Sequence, residues 1–227
     1  MNLTTQQKRI CEQVVNVFET GSMHGDYGAI ARFADGPNGI RQVTYGRSQT
    51  TEYGKLHDLV EKYAGSGGSL SDELKPFVDK IGHTPLVDDD KFLDLLRQAG
   101  KDQVMQRVQD EFFDARYFQP AMRWASDNGF SQALSALVIY DSFIHSGSIP
   151  GFLRKLFPAK TPANGGKEQD WIVQYVDTRD KWLRNHSNEL LRKTVYRTEC
   201  FNREIQRGNW DFSQLPVDAH GIKVSGT

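Results

Sequence analysis

The sequence predicts a mainly α-helical protein with one small β-hairpin, and three observations predict it. Apolar residues recur at helical spacing along most of the 227-residue chain. One short stretch, residues 29–45, alternates instead and is split by dense turn chemistry. Residues 130–146 are apolar on nearly all sides, which marks a buried central helix.

The first helix carries Ile10, Cys11, Val14, Val17 and Phe18 on one face. Thr4 and Gln7 have capping-box spacing at its start, and Gly21 is a natural stop, so Glu19 falls in the last turn. Residues 29–33 and 40–45 are rich in β-formers, and Asp35-Gly36-Pro37-Asn38-Gly39 turns the chain between them. No other clear β element is expected. Leu56, Leu59, Val60 and Tyr63 mark a helix, after which Gly65-Ser66-Gly67-Gly68-Ser69 reads as a flexible connector. Further helices are expected near 71–81, 89–99 and 101–117. After the central helix come a loop over 158–168 and helices near 168–184 and 186–206. No internal repeat is visible.

The length suits one domain, 1–227, large enough to bury a proper core and to form two lobes. A formal net charge of −1 gives no field that would draw nucleic acid or an anionic membrane. No apolar run reaches the ~18 residues of a membrane span. The first eight residues have no signal-peptide character, so the expectation is either a protein that starts inside the cell, for which action on a wall polymer needs another export route, or a mature or excised domain. Cys11 and Cys200 lack metal-ligand spacing and are expected to be two buried thiols. The six histidines form no ligand-spaced pair, and His145 reads as a satisfied polar group. No phosphate loop or Gly-x-Ser-x-Gly elbow is present. Neither metal nor cofactor is expected.

The chemistry points to paired carboxylates. Glu19 meets the negative end of its helix dipole, an environment that suits a proton donor. Asp35 lies 16 residues on, at the hairpin tip. A helix-end acid facing a hairpin carboxylate is what an inverting glycosidase needs, one group protonating the leaving oxygen and the other activating water. Asp26 is the competing base. The plain reading of each is a solvated helix end and a turn residue. In the polar run Val43-Thr44-Tyr45-Gly46-Arg47-Ser48-Gln49-Thr50-Thr51, a threonine hydroxyl is a candidate to hold the attacking water. Asp141, inside an apolar segment, needs a cationic partner, with Arg179, Arg184 and Arg192 as candidates.

These residues resemble glycoside hydrolase family 46 chitosanases. The resemblance runs through Gln6 to Gly21 with Tyr27-Gly28, Tyr117-Phe118-Gln119-Pro120-Ala121-Met122, Ala133 to Gly147, and Asp177-Thr178-Arg179. It implies an α+β, lysozyme-like fold of two helical lobes around a cleft, and inverting chemistry. It implies Glu19 as acid, Asp35 as base, and Asp141 with Arg179 supporting the acid. A second supporting arginine is implied near 184–192; Arg192 is carried forward, with Arg184 equally open. Two departures stand out. The hairpin lacks the family's Asp-Gly-Arg-Gly-Tyr-Thr pattern, so Thr44 becomes the water-holding threonine. Where chitosanases carry a Gly-Asp pair that receives glucosamine, this chain reads Gly54-Lys55.

The expected activity is endo-hydrolysis of a β-1,4-linked amino-sugar polysaccharide, with Tyr27, Arg41, Tyr45, Arg47 and Lys55 as substrate contacts. Lys55 with Arg32, Arg41 and Arg47 tips the expected substrate towards peptidoglycan, in a lysozyme-like activity, because a polycationic chain is repelled by such a surface. Chitosan is the alternative, and a non-catalytic wall-binding module is the reading of a different class. Action on the wall places the protein outside the cytoplasm, secreted or delivered to the periplasm. If the substrate is peptidoglycan, the expectation extends to an antibacterial toxin domain, with a secretion machine and an immunity protein as partners, or to a phage lysis domain.

Overall fold

The computed structural model describes residues 1–47 and 49–227; Ser48, part of the polar run above, lies outside the described residues. The mainly helical expectation holds, and the chain divides into two compact units. One comprises Met1–Phe18 and Ala115–Thr227, the other Glu19–Asp114.

The first unit begins with α1 (Thr5–Thr20), which continues past Phe18 into the second. Its capping box is reciprocal: Gln7 N donates to Thr4 Oγ1 at 3.1 Å, and Thr4 N donates to Gln7 Oε1 at 2.9 Å. At the centre lies α7 (Ala133–Ser146), buried at every position from Ala133 to Phe143. Around it pack α6 (Gln119–Asp127), α9 (Glu168–Arg184) and α11 (Tyr196–Gln206), with the single turn α8 (Gly151–Arg154) against α9. Trp171 of α9 is fully buried among Trp124, Phe130, Phe157 and Tyr175, with ring centroids 5.1–5.8 Å apart. Cys11 and Cys200 are free buried thiols, and burial pushes both pKa values up, which makes them inert.

Three expectations need correction here. The helix expected over 186–206 is broken: Asn188 caps a single turn, α10 (Glu189–Arg192), and a 3-10 turn at Lys193–Val195 precedes α11. The helix expected over 101–117 ends at Phe113, and a π turn, Asp114–Phe118, leads into α6, which periodicity did not reveal. A second hairpin also exists, β4 (Val217–Ala219) with β5 (Ile222–Val224). Its turn, His220-Gly221, has positive φ at both residues, the geometry that matches strand twist.

The second unit holds an antiparallel sheet in the order β1 (Ile30–Phe33), β2 (Gln42–Tyr45), β3 (Thr50–Thr51). Behind it pack α2 (Leu56–Ala64), α3 (Ser71–Leu74), α4 (Asp90–Ala99) and α5 (Gln103–Phe113) around one apolar core. The glycine-rich connector after α2 is anchored rather than slack. Asp102 Oδ2 accepts from Ser69 N at 2.7 Å, Ser69 Oγ at 2.9 Å and Tyr63 Oη at 2.7 Å, while Oδ1 caps α5 through Val104 N at 2.8 Å. Against a burial effect that raises it, the Tyr63, Val104 and Ser69 hydrogen bonds hold the Asp102 pKa at about 2.

Glu52, 1% exposed, fixes the sheet to the rest of this unit. Its Oε2 accepts from Val43 N at 3.0 Å and its Oε1 from Leu86 N at 2.7 Å. Glu52→Gln turns one of those acceptors into a donor facing a backbone N–H. The expected loss is about 2 kcal/mol in urea unfolding, because a buried backbone donor is left unmatched; a loss too small to measure counts against this role.

Candidate active site

In the second unit, β2 sorts its side chains by strand period. Val43 and Tyr45 enter the apolar core, so Gln42 and Thr44 share the opposite face. Tyr45 is fully buried and its hydroxyl donates to Leu96 O at 2.8 Å, so it contacts no substrate, contrary to expectation. Thr44 is buried and its Oγ1 has no hydrogen-bond partner among the described residues. A buried hydroxyl in that state needs a water or a ligand atom.

Asp35 lies exposed in the eight-residue loop 34–41 between β1 and β2, within which Pro37–Gly39 forms a 3-10 turn. Its Oδ1 accepts from Gln42 Nε2 at 2.9 Å. Asp26, the rival base, spends its Oδ1 on Gly28 N at 2.9 Å in a local turn. Glu19 is half-buried in the last turn of α1. The last carbonyls of a helix lack partners within it; here Gln49 Nε2 donates to Glu19 O at 2.9 Å, tying the β2–β3 connection to the helix end.

The remaining predicted contacts are engaged by carboxylates. Tyr27 Oη donates to Asp110 Oδ1 at 2.9 Å, and Arg47 pairs with the same oxygen while lying 5.2 Å from the Phe113 ring centroid. Arg47 is buried, which removes it as a substrate contact. Gln109 locks this corner, accepting from Arg47 N at 3.1 Å and donating to Tyr27 O at 2.9 Å. Gly46, at φ +76°, lies so close to the Gln109 amide that no side chain fits. Arg32 and Arg41 share Asp88 at 3.8 and 3.4 Å, and Lys55 pairs with Asp58 at 2.9 Å. The hairpin is therefore not the bare cationic surface its sequence suggests.

In the first unit, Asp141 has no exposed surface and is held by two arginines: Arg179 Nη1 to Oδ2 at 2.7 Å, and Arg197 Nη1 to Oδ1 at 2.6 Å. Burial alone raises the Asp141 pKa, but the Arg197 and Arg179 guanidiniums hold it below the usual carboxylate range. Arg197, not Arg192 or Arg184, is the second partner. Arg192 is exposed and donates to His186 O and Ser187 O, while Arg184 pairs with Asp180 and Glu199. Arg197 also lies 5.4 Å from the Phe18 ring centroid, and Tyr196 Oη donates to Phe18 O at 2.8 Å. The cluster thus braces the final turn of α1 at the residue before Glu19. Sequence reading missed Arg197 because the break at Lys193–Val195 changes the helical phase.

Two predictions follow from the cluster. Arg197→Met leaves a buried charge half-compensated and is expected to cost ~3–5 kcal/mol of stability, whereas Arg192→Ala stays within about 0.5 kcal/mol; urea unfolding of both variants compares them. The second concerns His145, whose pKa is lowered from 6.5 to about 4 by burial and by Arg179 and Arg197, against an opposing effect of Asp141. The unfolded chain takes up this proton near pH 6.5 and the folded protein only near 4, so stability falls as pH drops through that window. His145→Gln is expected to flatten the fall, read as unfolding midpoints at the two ends of the window; an equal fall in both proteins contradicts it.

Comparison with known proteins places these features in a family. The glycosyl hydrolase family 46 profile matches residues 13–216. The chain is 26% identical to a chitosanase of Bacillus subtilis strain 168 over 93% of its own length and 81% of the relative's. The structure superposes on a native chitosanase from Bacillus subtilis MY002 with TM-score 0.79 and 25% identity, covering 95% of both chains. A mutant of the MY002 chitosanase complexed with 6 GlcN gives TM-score 0.80 at 25% identity, over 99% of this chain and 98% of that one. A family 46 chitosanase from Gynuella sunshinyii, in complex with chitotetraose, shares the fold at TM-score 0.81 and 23% identity, over 98% of each chain. The chain belongs to glycosyl hydrolase family 46 and is a glycoside hydrolase.

Proposed function

We propose that this enzyme is a chitosanase that cleaves the β-1,4-linked glucosamine backbone internally, with inversion at the anomeric carbon. The observation that carries the substrate choice is the pairing of every cation in the hairpin argument with a carboxylate: Arg32 and Arg41 with Asp88, Arg47 with Asp110, Lys55 with Asp58. Expectation favoured peptidoglycan because those cations were counted as unopposed charge. Once paired, they no longer repel a polycationic chain, and the Asp88 and Asp58 side chains keep 66% and 44% exposure. Relatives named as chitosanases, two of them bound to chitotetraose or GlcN, support the same substrate.

In this mechanism Glu19 gives its proton to the glycosidic oxygen as the bond to the anomeric carbon breaks. Asp35 takes a proton from water, which attacks that carbon from the opposite face, and the Thr44 hydroxyl orients this water. The products are a new reducing end of inverted configuration and a released 4-hydroxyl. Asp141, Arg179 and Arg197 act at one remove, by fixing the helix turn before Glu19. Because chitosan is a polymer too large to enter a cell, the enzyme works outside the cytoplasm.

Reducing-end release on chitosan and on purified peptidoglycan, side by side, tests the proposal. Wild type is expected to release ends from chitosan, and Glu19→Gln to lose at least ~100-fold of that rate with its unfolding midpoint unchanged. Release from peptidoglycan alone overturns the substrate assignment. Full activity of Glu19→Gln overturns the mechanism.

A further inference from the structure

We propose that Gln42 is the positioning residue of the base, a role that rests on the reading of Asp35 as that base. A carboxamide has one donor end and one acceptor end, and its orientation follows from its partners. Tyr53 N donates to Gln42 Oε1 at 3.1 Å. That bond fixes which end points away, and the outward end, Nε2, donates to Asp35 Oδ1 at 2.9 Å. Turning the amide over sets oxygen against the carboxylate and N–H against N–H, so both bonds are lost together. The amide polarity is therefore set by the backbone at Tyr53.

Burial strengthens the device. Gln42 is 4% exposed, so water competes little for either end. Its backbone is fixed in β2, paired with Phe33 of β1. Asp35, by contrast, stands on an exposed eight-residue loop, and the Gln42 bond is its one side-chain hydrogen bond among the described residues. The rigid strand thus holds the carboxylate that the loop only carries. One oxygen of Asp35 is occupied and the other is left for water, on the strand whose same face presents the unpartnered Thr44 hydroxyl two residues on.

Two variants test this role. Gln42→Glu keeps an acceptor for Tyr53 N–H but replaces the donor that faces Asp35 with a buried carboxylate, which adds like charge beside the base. Gln42→Met removes both ends without adding charge. On chitosan, both are expected to lower kcat by about 100-fold, the cost of a misplaced catalytic group, with KM within about twofold of wild type. For Gln42→Glu the unfolding midpoint is expected to fall, because a buried carboxylate faces Asp35 with no cation beside it, so the positioning role is read from kcat falling while KM holds. Parallel loss of kcat, KM and midpoint in both variants overturns the proposal in favour of a purely structural amide, and wild-type kcat in both overturns it outright. Asp35→Asn, measured alongside, separates the two claims. If Asp35→Asn keeps wild-type kcat, the base assignment falls. If it loses turnover while both Gln42 variants keep theirs, only the positioning role falls.

Discussion

A carboxylate with no exposed surface must find cations or destabilise the fold, and Asp141 finds two. Much of the first unit is arranged around that requirement. Arg179 reaches Asp141 from α9 and Arg197 from α11, so α7, α9 and α11 are joined by one acid. Tyr175 Oη donates to Ser142 Oγ at 2.9 Å, extending the polar island inside an otherwise apolar core. The island leaves its mark on His145, whose pKa is lowered first by burial and then by the two guanidiniums. A buried pair of this kind adds little net stability over an apolar substitute, but it penalises any other arrangement of the helices. That fixed arrangement reaches the last turn of α1 through Phe18, which Tyr196 and Arg197 both contact.

Periodicity read well where one face decided an element. The capping box of Thr4 and Gln7, the apolar face of α1, the central helix and the strands around Asp35 were all legible, because each follows from local chemistry or a repeated spacing. Legibility failed where tertiary bonds overrule a local signal. The glycine-rich run after α2 looks slack until Asp102, 33 residues beyond Ser69, gathers it. The β4–β5 hairpin escaped because three-residue strands are too short to show alternation and His220-Gly221 is not a usual turn pair. Tyr45 looked like a sugar contact because its neighbours are polar, yet strand parity sends it into the core. Arg197 was hidden by a break that no proline or glycine announces.

Charge was the least legible property. Counting Arg32, Arg41, Arg47 and Lys55 along the chain gave a basic surface, because their partners lie at distances in sequence that a linear reading does not sample. Asp88 is 47 residues from Arg41, and Asp110 is 63 from Arg47. Lys55 is the exception: Asp58 is only three residues on, at a spacing that pairs side chains on a helix. A sequence-level charge argument holds for net charge, and fails for a patch until the pairing is known.

The anchoring of β2 bears on how this hairpin can vary. Tyr45 is held by Leu96 and Val43 by Glu52, so the strand keeps its parity without help from the connection that precedes it. A slip of one residue would exchange the apolar and polar faces at once. With the frame pinned from behind, the loop between the strands is free to gain or lose residues, since an insertion there moves neither Thr44 nor Gln42. The loop can lengthen or shorten over evolution while the strand beside it keeps its register.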